Sequence, residues 1–410
     1  LYNFSRSSSG LKKERIEKMA EKTSEISLKT MFEYTGYRCN FVMDIENVAP
    51  GEEPKATIKV CSDPGRQLLF SYASRDGLNL TGKAGGIKEK NILGKLLAIP
   101  KNDIEKTMEF FKQYGFLLPL SKDEYSSIGA EDLLAVVNRI KATIGLYNSI
   151  NKKDYKGVLL AAAFLLYSPV VSMNTPEDKF FTCEHAFSRF VRTYNLFPDL
   201  STDPEVFNKG TYTVPDTFLG HDNHIDIEFY NKIRSGADTD IKGSKDPRFK
   251  NLTAMYVGCR DVGEETRMLI DFFFHFQTEV AVFKEISYGS MNPYSHIDEN
   301  DFSDNIKEGL LKIARIVVAE EINYNIRGIH PKYDGGRLSA SWQVDTLIQA
   351  LYFSIFYMSA GQIYKECENP SCKRDKYFLV EATRVNKKYC CPQCANAAAA
   401  QRYRNRRLGK

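Results

Sequence analysis

Cys367 and Cys372 bracket Glu-Asn-Pro-Ser, and Cys390, Cys391 and Cys394 follow about twenty residues later. Five of the nine cysteines therefore fall within 28 positions. Two close pairs of thiols at this separation supply the four sulfurs of a tetrahedral zinc site. Four thiolates fill the coordination sphere and leave no position for water, so the expected ion is structural, one Zn2+ per chain. Asn369-Pro370 supplies the turn that lets the first two sulfurs converge, and Tyr377–Val380 reads as a short strand. Pro392 suits the first turn of a helix. Cys394 then lies near that helix's N-terminus, where the helix dipole and the cation both favour thiolate over thiol. So short a stretch buries too little apolar surface to fold alone, and the ion is its staple. Cys390 lies four positions before Cys394 and Cys391 three; either spacing is competent for a metal, and the sequence pattern leaves the third ligand open between them.

The helix predicted after Cys394 carries Ala397–Ala400 and then Gln401-Arg402-Tyr403-Arg404-Asn405-Arg406-Arg407. Arg402 and Arg406 share one face; Tyr403 and Arg407 share the adjacent one. Guanidinium groups, a planar aromatic and amide side chains suit phosphates, base edges and stacking. Charge is unevenly spread: Tyr364–Lys410 carries +8, and the other residues sum to −4. A polyanion is therefore expected to dock on the tail, through Arg384, Lys387, Lys388, Arg402, Arg404, Arg406 and Arg407. The competing readings are a protein partner for the tail, or a solvated basic terminus that contacts nothing.

Residues Cys367-Glu-Asn369-Pro370-Ser-Cys372, Phe378-Leu379, Thr383-Arg384, Lys387-Lys388-Tyr389-Cys390 and Cys394 with Asn396 resemble the CGNR-type zinc finger. That module is treble-clef-like and closes bacterial regulators that carry a helical ABATE domain. The resemblance covers about 45 residues and implies Cys390 as the third ligand, a transcription regulator, and DNA in preference to RNA. Here the second cysteine pair is one residue tighter than in typical members, and Ala395-Asn396-Ala397 replaces Gly-Asn-Arg.

Enzyme chemistry has fewer footholds. His221, His224, Asp226 and Glu228 could hold a catalytic metal for a hydrolase. On a strand, however, His224, Asp226 and Glu228 share a face from which His221 points away. The expected reading is a polar loop leading into a strand or helix. Cys183-Glu184-His185 suggests a nucleophile pair, but Phe180, Phe181 and Phe187 around it favour a buried core cysteine. Thr81–Gly86 lacks the Lys-Ser/Thr ending of a phosphate loop. No serine elbow, HExxH or dinucleotide fingerprint is present, and no catalytic residue is assigned.

The positioning elements read as follows. Leu11–Phe32 reads as a surface helix or arm. Thr57–Cys61 and Gln67–Ala73 alternate around Asp63-Pro64-Gly65 as a hairpin, Leu78–Thr81 adds a strand, and 83–91 is a linker. A helix capped by Asn102 ends at Gly115, and a second runs through Leu133, Val137, Ile140, Ile144 and Tyr147. Further helices are expected at 153–168, 178–195, 262–288, 303–325 and 342–362, with long loops over 200–255. The predicted class is mainly α with a small N-terminal β element (α+β) and a C-terminal zinc finger. The division is 1–95 for the arm and hairpin, 96–363 for the helical body and 364–410 for the zinc module. With 43% hydrophobic and 26% charged residues, the composition is that of a globular protein. The apolar runs Val158–Met173 and Trp342–Tyr364 read as buried helices, the first being short and the second polar in places. The opening residues lack an apolar leader core, and Cys39, Cys61, Cys183 and Cys259 are scattered singly, so a reducing cytoplasm is expected. The expected function is non-enzymatic: a zinc-finger protein binding nucleic acid, with a large sensor or assembly body. An interaction module braced by zinc is the alternative.

Overall fold

The computed structural model describes residues 30–46, 55–74, 76–82, 85–200, 209–335, 339–358, 361–373, 376–381, 383 and 386–407. The chain is a mixed α/β protein. Its described residues divide into two compact units, one within Leu1–Ala130, Asn174–Asp178 and Ile326–Lys410, the other within Glu131–Met173 and Lys179–Asn325.

The first unit is built on an antiparallel sheet of β1 (Thr30–Glu46), β2 (Lys55–Ala73), β3 (Gly77–Thr81), β4 (Ile87–Glu89) and β5 (Ser126–Gly129). The order is β1-β2-β3-β4, with β5 also paired to β2. This is a larger sheet than the small β element expected. Phe32, Tyr34 and Gly36 alternate inward along β1, and Phe32 stacks on Tyr72 with ring centroids 5.4 Å apart. The described part of the expected N-terminal helix, from Thr30, belongs to this strand.

The expected hairpin at Asp63-Pro64-Gly65 does not form. Both halves of β2 pair with β1, and the register passes from Tyr37↔Gln67 directly to Arg38↔Asp63. Pro64, Gly65 and Arg66 are extruded as a bulge, which bends a strand that continues. The expected linker carries β4, and Asn91 caps α1 (Ile92–Leu97). In α2 (Ile104–Tyr114) the cap is Asp103, one residue later than Asn102, because its carboxylate accepts from the Lys106 amide. Gly115 ends that helix at φ +88, where a Cβ would stand 2.6 Å from the Tyr37 carbonyl oxygen, so the position demands glycine.

The second unit is helical around small hairpins. It contains α3 (Ala130–Lys152, from its second residue), α4 (Tyr155–Tyr167), α5 (Ala186–Thr193), α6 (Ile227–Ser235), α7 (Pro247–Gly258), α8 (Glu264–Glu279) and α9 (Asp304–Asn325). Thus 209–255, expected as loops, holds two helices and a hairpin, Thr211–Val214 with Asn223–Asp226. The helix expected over 178–195 shrinks to α5, and that over 262–288 stops at Glu279 before a strand, Phe283–Ser287. Phe272, Phe273 and Phe276 are fully buried. Each such side chain contributes roughly 1.5–3 kcal/mol of transfer free energy.

In the first unit, α10 (Leu347–Phe356) starts five residues after Trp342, which lies in a strand. Its Thr346–Gln349 capping box fixes the start. The last described helix is α11 (Pro392–Arg407). No described helix is long and apolar enough to cross a membrane.

Candidate metal centre and basic helix

Strands Gln362–Glu366 and Tyr377–Glu381 form an antiparallel hairpin with Ile363 opposite Val380. Cys367 leaves the first strand with its amide donating to the Lys376 carbonyl at 2.7 Å. The buried Asn369 shapes the next turn: its side-chain oxygen accepts from the Ser371 amide at 3.3 Å and its carbonyl from the Cys372 amide at 3.0 Å. Glu368 N–H donates to the Lys388 carbonyl at 2.9 Å, which draws the segment before Cys390 alongside the first pair. Pro392 opens α11, and Cys394 sits buried in its first turn. Ile363, Phe378 and Val380 pack with Cys367 and Cys394 beneath the cluster.

The Sγ atoms of Cys367, Cys372, Cys390 and Cys394 all lie within 4.8 Å of one another, a group that could hold a metal ion such as zinc. Three of the separations are 3.7 Å (Cys372–Cys390), 3.6 Å (Cys390–Cys394) and 3.7 Å (Cys372–Cys394). A Zn–S bond of about 2.3 Å implies tetrahedral edges of about 3.8 Å, so these three sulfurs stand at the spacing the ion requires. Cys391 lies outside the group, with its Sγ 3.8 Å from that of Cys390.

The module is attached to its own unit at the sheet. Asn91, in a left-handed conformation, donates from its side-chain amide to the Tyr377 carbonyl at 2.6 Å. Gln362 donates to the Ser74 carbonyl at 2.8 Å. At Gly94 a Cβ would fall 2.5 Å from the Tyr377 oxygen, so α1 approaches the hairpin with bare backbone.

Beyond its first turn, α11 buries only Ala398. Arg402, Arg404, Arg406 and Arg407 are exposed, as is Tyr403 at 61%. The Arg407 guanidinium carbon stands 5.5 Å from the Tyr403 ring centre, and Arg402 donates to the Ala398 carbonyl at 3.4 Å. Lys387 lies over the Phe378 ring at 5.3 Å, and Lys388 pairs with Glu368 at 3.4 Å. Both lysines are exposed. Arg384 is outside the described residues.

The histidine-carboxylate stretch assembles no ligand cluster among the described residues. His224 Nδ1 meets the Thr213 hydroxyl at 3.1 Å, and His221 Nδ1 meets the Asp222 carbonyl at 3.0 Å. Asp226 caps α6, and Glu228 pairs with Lys232 at 2.7 Å.

Two buried constellations went unread in the sequence. Cys183 and His185 meet Glu321, and His275 lies between Asp216 and Glu279. The Cys-x-His spacing was visible, but Glu321 is 136 residues beyond its histidine.

Compared with known proteins, the chain matches no family model, no curated protein and no solved structure.

Proposed function

We propose that the chain is a non-enzymatic, cytoplasmic nucleic-acid-binding protein whose C-terminal treble-clef-like finger is closed by one structural zinc ion. The observation that carries this reading is the pairing of a four-sulfur cluster at tetrahedral spacing with a helix, rooted in that cluster, whose four arginines face solvent. The ion fixes the first turn of α11, and the arginines beyond it are free to meet phosphates. The resemblance to CGNR-type fingers favours DNA over RNA and a regulatory role. The remainder of the chain then serves as sensor or assembly body. The deciding experiment is anaerobic purification with metal quantification, followed by binding to duplex DNA and single-stranded RNA over a range of salt. A chain without zinc, or one that binds neither polymer, overturns the reading.

A second reading is favoured by the bonds that tie the hairpin to its unit, from Asn91 to Tyr377 and from Gln362 to Ser74. In it the zinc braces the sheet unit and the terminal helix recruits a protein partner through Tyr403 and the small Ala397–Ala400 face. Binding that is insensitive to salt and lost in Tyr403→Ala would select it.

A further inference from the structure

The second unit contains a ligand set unconnected with the C-terminal cysteines. Cys183 Sγ, His185 Nε2 and a Glu321 carboxylate oxygen lie within 4.8 Å of one another, and all three residues are buried. The two segments that meet are the stretch leading into α5 and the C-terminal half of α9. His185 Nδ1 is held by the Glu320 carboxylate, and its Nε2 stands 2.9 Å from Glu321 Oε1. Metal-binding imidazoles are held in this manner: the outer nitrogen donates to a carboxylate, which fixes the tautomer and presents the inner nitrogen to the ion. Glu321 Oε2 is buried and has no hydrogen-bond partner. An ionised oxygen left bare in a protein interior costs about 1–3 kcal/mol or more.

We propose that Cys183, His185 and Glu321 form a second, structural site for a borderline-soft divalent cation, Zn2+ by donor type. Sulfur, imidazole nitrogen and carboxylate oxygen are the three zinc donors of proteins, and Glu321 keeps in Oε2 an oxygen that no hydrogen bond occupies. With all three ligand residues buried away from solvent, the ion pins α9 to the segment before α5. Binding deprotonates Cys183 and requires Nε2 as a bare imidazole donor, the displaced protons going to solvent. Arg139 stays in place, paired with Glu321 and donating to the Cys183 carbonyl at 2.7 Å, so the carboxylate keeps its partner in both forms.

The test uses the full chain, saturated anaerobically with Zn2+, freed of excess and analysed for metal per protein, with Co2+ substitution as a spectroscopic report. Wild type should hold two ions, Cys183→Ser and His185→Gln one each, and Cys394→Ser one. The Co2+ spectrum of Cys394→Ser should show charge transfer from a single thiolate, and that of Cys183→Ser from four. Should the finger reading fail and this one hold, wild type carries one ion that Cys183→Ser loses and Cys394→Ser keeps. A wild-type chain with one ion, retained in Cys183→Ser and absent from Cys394→Ser, overturns the proposal. If the Cys183 and His185 variants do not fold, the wild-type count together with the Cys394→Ser count decides it alone.

Discussion

His275 Nε2 lies 2.7 Å from the Asp216 carboxylate in the interior of the second unit. Its Nδ1 is 3.1 Å from Glu279, and the Tyr256 hydroxyl donates to the same Asp216 oxygen that the imidazole meets. Burial works against an imidazolium here, but the two carboxylates outweigh it and push the pKa up to about 9. The charged imidazole therefore favours the folded state fully below the ordinary histidine value near 6.5, and that contribution is lost as pH rises through about 9. The shift corresponds to about 3 kcal/mol. Urea unfolding from pH 6 to pH 9.5 should show wild type losing stability across this window while His275→Gln changes little. Parallel curves for the two chains would refute the assignment.

Gly94 tests the attachment of the finger. Gly94→Ala places a methyl against the Asn91 side chain at 2.3 Å and the Tyr377 carbonyl at 2.5 Å. Relief requires α1 and the hairpin to part, at a cost of about 1–3 kcal/mol. Thermal unfolding should fall, and limited proteolysis should cut first around 362–381. A melting temperature equal to wild type means the contact carries no strain.

The cysteine variants separate the ligands of the C-terminal cluster. Cys367→Ser and Cys394→Ser should lose the finger zinc and the ordered tail, because the binding free energy of such a module is its folding free energy. Cys391→Ser should keep both, its sulfur lying outside the four-atom group. Loss of metal in Cys391→Ser with retention in Cys390→Ser would reverse the assignment of the third ligand.

The basic helix is tested by salt. If its arginines neutralise phosphates, log affinity falls linearly with log salt, by about 0.9 per contact on duplex DNA and about 0.7 on a single strand. Arg402→Ala with Arg406→Ala should flatten the duplex slope by about 1.8. An unchanged affinity in the chain lacking all four arginines would remove α11 as the docking element.

The four-cysteine cluster was legible because its determinants are local. Cysteine spacing, the Asn369-Pro370 turn, the Tyr377 strand and Pro392 each act within a few residues of where they stand. The N-terminal sheet was legible only in pieces. Phe32, Tyr34 and Gly36 keep period two, but the bulge beyond Tyr37 breaks the alternation halfway along β1. Asp63-Pro64-Gly65 has the composition of a turn, and only the partner strand determines that it bulges and does not reverse. The helices predicted over 153–168 and 303–325 kept their extent as α4 and α9, each free of internal proline. Where a helix was overestimated, as at 262–288, the chain turns at Val280 and enters the strand Phe283–Ser287 with no glycine or proline to mark the break. Buried polar sets are the hardest to anticipate, since His275 meets Asp216 across 59 positions and His185 meets Glu321 across 136.

The bond from Asn91 to Tyr377 joins residues 286 positions apart, and the whole second unit is threaded between them. At about 5–20 residues per second, a ribosome takes roughly 15–60 s to cover that distance. Throughout that interval β3, β4 and α1 exist without the hairpin that covers Gly94, while the inserted helical unit can already collapse on itself. Closure of the thiol cluster and its attachment to α1 thus wait until the segment beyond 377 has been made. A chain stalled between 326 and 377 would leave uncovered the side of α1 that meets the hairpin at Gly94, a state more exposed to aggregation or to capture by a chaperone.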